Sequence, residues 1–112
     1  MHVAAINYAF PILVGHQAPA STGLTMDNLS TAAPAFEGSL SSKEDIRPVL
    51  RGSFEHLRTA IASADLDRQV ELFGKTRTLR TFWVGLISHL HEHLGQLIAY
   101  SRMNGVVPPW SQ

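Results

Sequence analysis

Six histidines and no cysteine set the chemistry open to this chain. Without thiols there is no disulfide framework, no cysteine nucleophile and no zinc site built on thiolate. His89 and His93 stand four residues apart in a strongly helical stretch, so they stack one turn above the other on one face. At 100° per residue from Leu79, His89 falls at about −80° and His93 at about −40°, on a flank of the apolar stripe. His91 lies at about +120°, on the other side of that stripe, and cannot join the same site. Two imidazoles so spaced can bind one metal ion, but a stable site needs at least a third ligand from another element. His2 is the best-placed candidate, because it shares an apolar face with Ile6, Ala9, Phe10 and Leu13. Three nitrogen ligands with one open position form a reactive site, where a divalent metal polarises a substrate or lowers the pKa of water. Zn, Ni, Fe and Co all suit such a donor set. The bland alternative is a pair of core-edge histidines that only hydrogen-bond. His16, in a loop, and His56, off its helix's apolar stripe, are expected to be solvated, with a ligand role as the minor option for His56. Glu92 reads as a surface residue, with an outer-sphere or general-base role as the other option.

The elements that must position these residues follow from periodicity. The clearest is a helix over about 77–104. Leu79, Phe82, Trp83, Leu86, Ile87, Leu90, Leu94, Leu97 and Ile98 recur at helical spacing, and Asn104-Gly105 form a left-handed C-cap before Pro108-Pro109. A middle helix is expected over about 45–64, from Ile46, Val49, Leu50, Phe54, Leu57 and Ile61. Ser41 and Glu44 fit a capping box. Pro48 favours a cap at Asp45, which would leave the proline in the first turn. A short helix over about 2–15 carries His2, and Pro11 should kink or end it. Residues 17–41, rich in Gly, Ser, Thr, Ala and Pro, read as a long loop able to fold over a site, with at most one helical turn near Thr25–Leu29. Residues 65–75 read as a connector. No useful β-alternation or internal repeat is visible, so the fold class expected is all-α, an antiparallel helical bundle.

Composition limits the classes further. With 112 residues the chain is expected to form a single domain, and 45% hydrophobic against 16% charged residues supplies a core. Nine basic residues balance nine acidic ones, and the arginines are scattered, so no nucleic-acid partner is expected. No apolar run reaches the roughly 18 residues that span a bilayer, so no membrane partner is expected either. The apolar start at 1–15, followed by Ala18-Pro19-Ala20, has some look of a secretory signal. No Lys or Arg precedes it, Asn7, Tyr8 and Pro11 interrupt it, and Pro19 sits inside the would-be cleavage motif. A cytoplasmic location is therefore expected.

The stretch from His89-Leu90-His91-Glu92-His93-Leu94-Gly95-Gln96 through Tyr100-Ser101-Arg102-Met103-Asn104-Gly105 to Pro108-Pro109-Trp110 resembles the C-terminal signature of the DinB family of metalloenzymes. That signature runs His-x-x-x-His-x-Gly-Gln, an apolar turn, Tyr-x-Arg-x-x-Gly and Pro-Pro. The opening His2-Val3-Ala4-Ala5-Ile6-Asn7-Tyr8 is similar to the family's second helix, and Ser53-Phe54 and the Phe73-Gly74 connector also fit. The resemblance covers most of the chain and is strongest over 86–110. It implies a four-helix bundle holding a divalent metal ion through His2, His89 and His93. It also implies a small-molecule substrate such as a low-molecular-weight thiol, activated as thiolate in an S-transferase or a related reaction, and a stress-response setting.

The sequence departs from the pattern at its start, where the family's first helix is missing, giving a single truncated DinB-like domain over 1–112. A bundle lacking one helix exposes an apolar groove worth several kcal/mol at about 25 cal/mol per Å². An upstream start, a second subunit in a homodimer, or a truncated remnant each accounts for that. The leading expectation is a metal-dependent thiol transferase or hydrolase. The alternative is a non-catalytic oligomerisation module or remnant.

Overall fold

The structure, a computed structural model, describes residues 1–111. It is mostly helical, with α1 at His2–Leu13, α2 at Leu29–Glu37, α3 at Lys43–Ala62 and α4 at Leu79–Met103. A two-stranded hairpin, β1 at Gln69–Leu72 and β2 at Lys75–Thr78, lies between α3 and α4. No described helix is long and apolar enough to cross a membrane.

The central element is α1. Its residues Ala4 to Tyr8, Pro11 and Ile12 are all buried, so the helix is covered on more than one face. On one side Ile6 joins Val14, Leu57, Ala60, Leu79, Trp83 and Leu86 in the main core. On the other, Tyr8 and Ile12 pack with Leu24 against Ala32, Ala33, Phe36 and Val49. Asn7 donates to Ser53 and Arg68 donates to the Val14 carbonyl, so α1 and α3 run in the same direction. His2 meets His93 and Phe10 stacks on Phe82, so α4 runs antiparallel to α1.

Local chemistry sets the helix ends. Pro11 lies inside α1, and the helix ends two residues later in a Schellman motif. His16 N–H donates to the Pro11 carbonyl and Gly15 N–H to that of Ile12, with Gly15 at φ +98°. Helix α4 ends the same way at the expected pair. Val106 N–H donates to Ser101 and Gly105 N–H to Arg102, with Gly105 at φ +75°. Helix α3 starts two residues before the expected 45. Its cap is Ser42 rather than Ser41 or Asp45. The Ser42 hydroxyl accepts from Asp45 N–H and donates to the Asp45 carboxylate, which leaves Pro48 inside the helix.

The bundle is not wholly antiparallel, because α1 and α3 run parallel, and two stretches differ from their expected form. Residues 17–41 are not a structureless loop, because they hold a 3₁₀ turn at Ala20–Thr22 and the whole of α2. The signal was present in Leu29, Ala32, Ala33 and Phe36, spaced i, i+3, i+4, i+7. It was masked by small residues and by Pro34, and α2 acquires its worth by docking on α1. Residues 65–75 are not a plain connector: the fold is broadly all-α as expected, but this stretch holds most of a small β-hairpin. Leu72 pairs with Lys75 across Phe73-Gly74, both at positive φ, as a two-residue hairpin turn requires. Four-residue strands offer too little alternation to be read from sequence.

Candidate metal centre

The first residue of α1 and the middle of α4 converge on one point. The antiparallel crossing of these helices sets His2 against His89 and His93, one turn apart on α4. One ligand-capable nitrogen from each lies within 4.8 Å of the other two. The ring centroids of His89 and His93 are 4.5 Å apart, and those of His2 and His93 4.7 Å. Nε2 of His89 and Nε2 of His93 approach to 3.1 Å. A tetrahedral site with metal–nitrogen bonds of 2.0–2.1 Å has a ligand edge of about 3.3 Å, so this pair already spans nearly the right distance. A cation between them would accept both lone pairs. Without one, one ring must donate its N–H to the other.

Neighbouring side chains orient the rings. His93 Nδ1 lies 3.3 Å from Gln96 Oε1, one turn further along α4. An amide oxygen only accepts, so Nδ1 carries the proton and Nε2 keeps a lone pair toward His89. Phe10 stacks on His89 at 6.4 Å and an interplanar angle of 14°, and on Phe82 at 5.8 Å. Phe10, backed by Phe82, gives His89 an apolar neighbour on one face. His89 and His93 are half-buried, while His2 is exposed, so the cluster lies at the protein surface.

His2 has a partner that sequence reasoning missed. Its Nδ1 lies 2.7 Å from Oε1 of Glu37, the last residue of α2. No local pattern connects these two residues. Only the docking of α2 on α1 reveals the pairing. Gln96 was visible as part of the C-terminal motif, but its contact with His93 was not.

The remaining histidines separate from this centre. His91 is exposed and donates from Nδ1 to the Ile87 carbonyl at 2.9 Å. His16 and His56, expected to be solvated, are half-buried instead. His16 lies 6.5 Å from the Trp83 ring and His56 lies 5.4 Å from the Tyr8 ring, between centroids. Nε2 of His56 is buried without a hydrogen-bond partner among the described residues, as are Asn7 Oδ1 and Trp83 Nε1. Burial, and secondarily the charge of His16, push the His56 pKa below the usual histidine value. The cause of this burial is tertiary. The sequence wheel placed His56 off the α3 stripe, but α1 covers that flank too. Glu92 is exposed, in line with the surface reading.

Compared with known proteins, the chain matches no family model, no curated protein and no solved structure.

Proposed function

We propose that this is a DinB-like divalent-metal-binding protein whose centre, His2, His89 and His93, serves a metal-dependent thiol S-transferase or hydrolase reaction in the cytoplasm. One observation carries the reading: three imidazole nitrogens from opposite ends of the chain lie within 4.8 Å of one another. The donor set fits the group. Three neutral nitrogens would suit Zn, Ni, Co or Fe, and would leave room at the metal for water or a substrate atom. When bound, such a cation supplies Lewis acidity that lowers the pKa of a thiol or a water at that position. The chain's own residues have simpler tasks. The i, i+4 spacing on α4 presets two donors, Gln96 fixes the tautomer of His93, and Phe10, backed by Phe82, covers one face of His89. The substrate of this reading is a low-molecular-weight thiol or another small molecule entering past His2.

Metal analysis by mass spectrometry tests the assignment. Purified protein loaded with Zn, Ni, Co or Fe is expected to hold about one ion per chain, and His89→Ala or His93→Ala to hold none. Unchanged metal content in those variants overturns it.

A second reading has its own observation. Val3, Leu50, Phe54, Ile87, Leu94 and Leu97 line an apolar groove of about 410 Å³ between α1, α3 and α4. Leu97 and Val84 are 56% and 58% exposed, and large exposed apolar stripes mark interaction surfaces. This favours an oligomerisation module, with the histidines structural and a homodimer as its product. Sedimentation with and without EDTA separates the two: a dimer indifferent to chelator supports the module, and metal-linked stability supports the metal protein.

A further inference from the structure

We propose that Glu37 is the positioning residue of the three-histidine centre, acting through His2; the inference rests on the metal-binding reading above. A carboxylate only accepts hydrogen bonds, so the 2.7 Å contact fixes the proton of His2 on Nδ1 and leaves Nε2 as the free lone pair. His2 is the ligand most in need of such help. It is the first residue of α1, has no capping side chain before it, and its side chain is 51% exposed. Left alone, an exposed imidazole samples several rotamers and the other tautomer, and neither aims Nε2 at a fixed point.

The fold brings Glu37 to this place by a specific route. Leu29, Ala32, Ala33 and Phe36 seat α2 on Tyr8 and Ile12 of α1. Phe36 meets Tyr8 edge-to-face at 5.9 Å and 86°. The next residue is Glu37, so the packing that half-buries Phe36 also sets the carboxylate beside the start of α1. An acidic residue in the last turn of a helix opposes the helix dipole, so Glu37 does nothing for α2 itself. A carboxylate that orients a ligating imidazole is worth about 10–100-fold in metal affinity.

Two measurements test this. Long-range ¹⁵N–¹H NMR of the metal-free protein is expected to show His2 protonated on Nδ1. Glu37→Ala should move the proton to Nε2, and Glu37→Gln, whose amide oxygen still accepts, should restore it. Zinc titration against a chromophoric chelator should show Kd raised about 10–100-fold in Glu37→Ala and less in Glu37→Gln, with unchanged helical circular dichroism. If Glu37 merely neutralised the α1 N-terminus, the tautomer would not follow the substitution, and that result overturns the proposal. So does equal zinc affinity in Glu37→Ala and the parent, which leaves the metal-binding reading standing. A parent protein that binds no zinc, nickel, cobalt or iron removes both together, so the two failures are distinguishable.

Discussion

Replacing His93 with alanine should leave the metal-free protein almost unchanged and abolish its stabilisation by metal. His93 is only half-buried, lies outside both core clusters, and sits mid-helix where alanine is the better helix former. The variant loses a 3.3 Å contact with Gln96 and a 3.1 Å contact with His89, both at the protein surface, so the metal-free variant should stay within about 1 kcal/mol of the parent. The parent behaves differently when metal is added. A ligand at about 100 times its Kd stabilises the folded state by about 2.7 kcal/mol. For a chain of this size that is a rise of about 10 °C in Tm, taking roughly 4 °C per kcal/mol. Differential scanning calorimetry with a zinc-to-Kd ratio held at about 100 should therefore show the rise in the parent and none in His93→Ala. His91→Ala is the control. It is two residues away, exposed, and bonded to its own helix, so it should keep the full rise. The reasoning is refuted if His93→Ala retains the rise, or if the parent shows none with zinc, nickel, cobalt or iron.

Other expectations follow from the same contacts. Leu86 is 1% exposed in the main core, so Leu86→Ala should cost about 2–5 kcal/mol in urea denaturation, whereas Leu97→Ala on the exposed groove should cost less than about 0.5 kcal/mol in a monomer. Asn7 and Ser53 are both fully buried and bonded at 3.1 Å. Ser53→Ala alone should cost about 1–3 kcal/mol by stranding the amide, and a double-mutant cycle with Asn7→Leu should recover much of it. His56 has its folded pKa lowered, so it favours the folded state while neutral. That stability is fully present above the unfolded value near 6.5 and is lost as pH falls toward the folded value; His56→Asn should flatten the part of the stability–pH curve below about 6.5. Metal should also pin the far half of α4 to α1, so amide exchange over residues 93–103 should slow on adding zinc and not in His89→Ala.

Much of this molecule is written locally. The three long helices, the i, i+4 pair on α4 and the Asn104-Gly105 stop are consequences of side-chain period and glycine backbone freedom, which act within a few residues. The pairing of His89 with His93 needed nothing beyond the pitch of one helix. What the tertiary structure decided is everything that depends on which faces meet. Antiparallel packing of α1 on α4 brings His2 to His93. Docking of α2 turns a stretch that reads as loop into a helix and delivers Glu37 to His2. The packing of α1 on α3 half-buries His56, which its own helix would have left in water. A weak nine-residue helix and a four-residue strand gain most of their stability from surfaces supplied by distant parts of the chain, and that dependence leaves little trace in the local pattern.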